Sequence, residues 1–170
     1  MHCKSTVKWE NNMPRHDRGR VRFIFTYGTL MSSASGEMGA AERALLNAFG
    51  ACVGPTSIRG NMFDAGACPG VVLASGRGDM VEGELWRIPV DMPDILEALD
   101  RYEGCAPHCP TPYPYSRHRI RVRCAGVGRV TAWIYLWERP TAGLVRITDG
   151  RWRGPSLPTL IDHTPQSVAA

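Results

Sequence analysis

Val21-Arg22-Phe23-Ile24-Phe25-Thr26-Tyr27-Gly28-Thr29-Leu30 is an apolar run that breaks into a glycine turn. Its first six residues are rich in β-branched and aromatic side chains and read as a largely buried strand. Gly28 then allows close approach to another backbone or to a ligand, and successive amide N–H groups at such a turn can form an anion-binding nest. The stretch is neither a Walker loop nor a GxGxxG fingerprint. On the residues alone, a tight turn around a core tyrosine is the simpler account.

Downstream, residues 37–49 suit a helix in which Met38, Ala41, Leu45 and Phe49 share a face and Gly50 is a natural stop. Short strands follow at 51–58, 70–74 and 80–88, with Gly60, Gly66 and Gly76 marking turns. Residues 91–102 carry the signals of a second helix. Asp91 can cap it, Pro93 is tolerated in the first turn, Ile95, Leu99 and Tyr102 form a stripe, and Gly104 ends it. A proline-rich loop leads to two more strands, 115–124 and 129–137, which can pair as a hairpin through Ala125-Gly126-Val127-Gly128. Strands outnumber helices in mixed order. The expected fold is α+β: a small mixed, largely antiparallel β-barrel flanked by two or more helices.

The chain of 170 residues is sized for one domain with a full core. Its patterned part runs over 21–154. Residues 1–20 read as a disordered basic leader without the apolar segment of a secretory signal, and Met13 is an alternative start. Residues 155–170 read as a proline-containing tail. No apolar run approaches the roughly 18 residues that span a bilayer, so a cytoplasmic protein with no membrane partner is expected. With no export signal, the six cysteines are expected to be mostly reduced and buried rather than paired. A formal charge of +4 suits an anionic ligand without demanding nucleic acid.

The second helix ends on Leu99-Asp100-Arg101-Tyr102-Glu103-Gly104. The last turn of a helix carries partial negative charge and favours a basic residue, yet Glu103 stands there. Positions that break a local rule are enriched in functional sites. Partial burial would raise the carboxyl pKa and suit Glu103 to taking and returning a proton near neutral pH. An exposed glutamate near a loop is the simpler reading on this argument alone.

Four other groups stand out. Glu82 and Glu84 alternate with apolar residues and invite a paired-carboxylate reading, but a solvated strand face explains them more simply, with Glu82 as a reserve base. Arg117, Arg119, Arg121 and Arg123 make one face of a strand basic. A solvated outer face is the default there and a nucleic-acid or anionic surface the sharper alternative, weakened because the strand lacks interleaved aromatics; no nucleic-acid partner is expected. Cys105, His108 and Cys109 are metal-capable but lack a second half at zinc-site spacing, so no metal and no cofactor is expected. Trp133, Tyr135 and Trp137 alternate on one face as core or cavity wall.

Six segments together resemble the γ-glutamyl cyclotransferase-like family, which includes the AIG2-like proteins and the γ-glutamylamine cyclotransferases. They are Tyr27-Gly28-Thr29-Leu30, Gly60-Asn61-Met62-Phe63-Asp64 with Pro69-Gly70, Val81-Glu82-Gly83-Glu84-Leu85-Trp86, Leu99-Asp100-Arg101-Tyr102-Glu103-Gly104, Tyr115-Ser116-Arg117 and Ala132-Trp133-Ile134-Tyr135. They run in order across nearly the whole domain. The resemblance implies a small β-barrel with a pocket at one end. It implies Glu103 as general acid/base, Tyr27, Gly28, Thr29 and Leu30 around a small-molecule γ-glutamyl substrate, and Arg117 as an orienting residue. The implied reaction is release of 5-oxoproline and a free amine or amino acid from a γ-glutamyl amide, without metal or organic cofactor. A non-catalytic binding protein of the same fold is the alternative. Two features depart from the family pattern: Cys68 stands before Pro69-Gly70 where an aromatic is common, and the insert 105–114 is unusually rich in proline.

Overall fold

A computed structural model describes residues 21–74 and 76–155. The expected leader (1–20, with Met13) and all of the expected tail after Pro155 lie outside the described residues. The elements are β1 (Val21–Thr26), a short 3-10 turn (Gly28–Leu30), α1 (Ala40–Phe49), β2 (Ala51–Asp64), β3 (Pro69–Leu73), β4 (Asp79–Pro89), α2 (Pro93–Tyr102), β5 (Tyr115–Cys124), β6 (Gly128–Trp137) and β7 (Val145–Ile147).

The strands form one curled sheet in the order β3-β2-β4-β1-β6-β5, with β7 added on β2. β1 and β6 pair in parallel. The other pairings are antiparallel, including the β5–β6 hairpin. The curl brings the start of β3 against the far end of the sheet. A Cβ on Gly70 would stand 2.8 Å from the Trp137 ring, and the Tyr115 hydroxyl donates to Pro69 O at 2.9 Å. The expected barrel of strands with two helices is therefore present as a curled, nearly closed sheet.

β1 is apolar on both faces because both faces of the sheet are covered. Phe25 points inward with Met62, Val71, Val81, Leu85, Val122 and Ile134. Ile24 points outward, where α1 and α2 cover it together with Leu46, Trp86, Ile88, Ile95 and Leu99. Each such side chain contributes about 1.5–3 kcal/mol by leaving water.

Three local expectations are corrected. Gly60 does not turn the chain. It lies within β2, where a Cβ would meet Val72 O at 3.1 Å, so the residue serves close strand packing. α1 begins only at Ala40, after Gly39 at φ +70. Met38 thus precedes the helix, whose buried position is Leu46, and Met38 and Phe49 stand about half exposed, at 45% and 47%. α2 opens on Pro93 behind Met92 with no side-chain cap, so Asp91 does not cap it.

Candidate functional site

α2 closes with a Schellman-type bond pair: Gly104 N–H donates to Arg101 O at 3.1 Å and Cys105 N–H to Asp100 O at 2.9 Å. Gly104 has φ +70, a conformation that favours glycine. This stop fixes Glu103 at the helix C-terminus, over the turn that follows β1. A cavity of about 210 Å³ lies between them, lined by Tyr27, Thr29, Leu30 and Glu103 and walled by Tyr102, Tyr115 and Tyr135. Met38, Cys68 and Pro69 complete its rim.

The wall is rigid because its tyrosine hydroxyls are occupied. Tyr27 donates to Tyr135 O at 2.7 Å, and Tyr135 donates to Asp100 Oδ1 at 2.7 Å. Tyr102 donates to Thr29 Oγ1 at 2.8 Å. The turn is held from outside as well. Arg43 of α1 donates at 2.6 Å to each of Thr29 O, Met38 O and Gly36 O. Glu84 receives Ser32 N–H at 2.7 Å and Ser32 Oγ–H at 2.6 Å. Gly28 has φ +66, and a Cβ there would overlap Pro69 Cγ at 2.3 Å, so no larger residue fits.

Glu103 has no cation paired with it among the described residues. Burial, then the negative charges of Glu42 and Asp100, push its carboxyl up to about 8. Burial and the nearby Glu103 likewise hold the Tyr27 phenol well above its ordinary value. A carboxyl group poised near neutral pH on a cavity can accept and return a proton.

Tyr27, Thr29, Leu30 and Glu103 thus meet at one cavity, with Gly28 just behind it. Arg117 does not line that cavity. It pairs with Asp100 Oδ2 at 3.4 Å and lies 4.8 Å over the Trp133 ring, behind the tyrosine wall. The expected solvated face for Glu84 is overturned: Glu84 is 7% exposed and clamps the turn through Ser32. Glu82 is half-buried and pairs with Arg151 at 2.7 Å. Among Trp133, Tyr135 and Trp137, Tyr135 lines the cavity, and the two tryptophans pack on the outer core.

Sequence reasoning missed Arg43, Met38, Tyr115 and Cys68 as parts of the site. Nothing local signals them, since each reaches the cavity or its loop from a different element. A second cavity of about 510 Å³ shares Thr29 and Met38 with the first and runs beneath Arg151 and Trp152. Among the described residues, no group of three or more His, Cys, Asp or Glu gathers as a metal site, and no disulfide forms. No helix there is long and apolar enough to cross a membrane.

The family model described as gamma-glutamyl cyclotransferase, AIG2-like matches residues 24–154. No curated protein matches the chain. Among solved structures, ytfP from Escherichia coli is similar at 26% identity and a TM-score of 0.53, over 77% of this chain and 96% of that one. YkqA from Bacillus subtilis is similar at 22% identity and a TM-score of 0.55, over 78% of this chain. This chain spans only 39% of that longer protein. The uropathogenic E. coli-specific protein c4763 is similar at 19% identity and a TM-score of 0.55, over 78% of this chain and 93% of its own.

Proposed function

Because the chain belongs to the gamma-glutamyl cyclotransferase, AIG2-like family, we propose that it releases 5-oxoproline from a γ-glutamyl amide with Glu103 as the general acid/base. The observation that carries this reading is the carboxyl of Glu103, raised to about 8 on a cavity shared with Tyr27, Thr29 and Leu30.

In a γ-glutamyl amide, the substrate's own α-amine attacks its γ-carbonyl and closes a five-membered ring. The step is intramolecular, so holding the substrate in the folded attack geometry is much of the task. The Glu103 carboxylate removes a proton from the α-nitrogen as the new C–N bond forms. The γ-carbonyl oxygen gathers negative charge, which backbone N–H groups of the Tyr27–Leu30 turn are suited to stabilise. Collapse breaks the old C–N bond, and the proton on Glu103 passes to the departing nitrogen. A single carboxyl group closes the cycle. The small cavity suits the glutamyl part, and the wider one adjoining it gives the leaving amine room.

The test is a panel of γ-glutamyl amides scored for 5-oxoproline. Wild type should turn over at least one, and a folded Glu103→Gln variant should lose about 10²–10⁴-fold in rate. Undiminished release by that variant would overturn the role of Glu103. Saturable binding of γ-glutamyl amides by wild type, with no 5-oxoproline formed, would instead establish the non-catalytic binding protein.

A further inference from the structure

The outer face of the β5–β6 hairpin changes character along its length. Near the cavity it carries Tyr115, Tyr135 and Trp137, packed into the outer core under the helices. Farther along it carries Arg119, Arg121, Arg123 and Arg129, all exposed. None of these four enters an ion pair among the described residues. Residues two apart on a strand share a face, so the β5 arginines form a straight row with a repeat of about 6.6 Å.

Two features separate this row from an ordinary solvated face. Arg123 and Arg129 stand directly opposite each other in the hairpin register. Like charges so placed are destabilising, and the cost disappears when an anion sits between them. Trp133 stands opposite Arg119 in the same register, and the guanidinium groups of Arg117 and Arg119 lie 4.8 Å and 5.5 Å from its ring centroid. The expectation of no nucleic-acid partner rests on β5 having no interleaved aromatic. The cross-strand register supplies one from β6.

We propose that this arginine face of β5–β6, with Trp133 at its end, binds single-stranded nucleic acid. A linear row of cations at even spacing fits a linear polyanion, and a half-buried indole with guanidinium groups beside its ring fits the faces of unpaired bases. Stable membrane anchoring calls for an apolar anchor beside the charges. Among the described residues the exposed large apolar ones are Met38, Phe49, Leu73, Met80 and Val145, and none of them lies on this hairpin. This role is independent of the 5-oxoproline reaction.

The experiment is fluorescence anisotropy of labelled 20-nucleotide single strands, RNA and DNA, with the whole chain between 50 and 200 mM salt. Four neutralised phosphates give a log–log salt slope of about −3, or about fiftyfold weaker binding across that range. In Arg119→Gln/Arg121→Gln, the slope should fall to about −1.4 while thermal unfolding and 5-oxoproline release stay unchanged. A strand of abasic sites with the same phosphate count should bind at least about fivefold more weakly. Three results would each overturn the proposal: equal binding by the double variant, equal binding of the abasic strand, or binding to anionic-lipid vesicles or polyglutamate without binding to either oligonucleotide.

Discussion

Glu84 on β4 and Glu103 at the end of α2 flank the same glycine turn, yet their surroundings are opposite. Glu84 is sunk to 7% exposure and met by two donors of Ser32, so its charge fastens the loop that follows the turn. Glu103 faces a cavity with no paired cation and two nearby acids, so its charge is disfavoured. Donors at hydrogen-bond distance make one buried carboxylate structural. Among the described residues no such donor reaches the other, which is left free to exchange a proton.

Removing Glu103 should have the largest effect. Alongside the rate loss in Glu103→Gln, the variant should be the more stable protein at alkaline pH. The native carboxyl keeps its proton up to about 8, whereas the unfolded one releases it near 4.5. The native state therefore binds more protons in that window, and wild-type stability falls as pH rises from about 4.5 to about 8. The variant should melt roughly 10–15 °C above wild type at pH 8.5, with the gap closing by pH 4. An unchanging gap would mean that Glu103 ionises normally.

Glu84→Ala should act the other way, lowering stability by about 1–3 kcal/mol in denaturant titration because Ser32 loses its acceptor. Unaltered stability would end the contrast between the two carboxylates. Glu42→Gln removes the larger of the two charges acting on Glu103. It should move the acidic limb of kcat/KM down by about half a unit to one unit. Tyr102→Phe is the mildest change. Losing its bond to Thr29 should cost about 0.5–1.5 kcal/mol and leave the pH profile in place.

The elements legible in the sequence are those whose signals are local. The apolar run into Gly28, the stop at Gly104 and the hairpin turn before β6 all depend on residues a few positions apart. That is why Glu103 could be nominated from its awkward place at a helix end. What the sequence hid depends on tertiary neighbours. Gly60 looks like a turn until β3 packs beside it. Met38 precedes α1 rather than sharing its face, and lines the cavity. Glu84 matches a solvated strand position until Ser32 and the outer core close over it. Arg117 lies next to the motif that suggested a substrate role, yet its partner is Asp100.

The close approach of Gly28 to Pro69 seats the turn against the start of β3, at the rim of the cavity. A mutational screen scored on activity alone would rank that position beside Glu103, although Gly28 has no side chain to offer a substrate. Measuring the amount of folded protein for each variant would separate the two, because only the glycine should vanish from the soluble fraction.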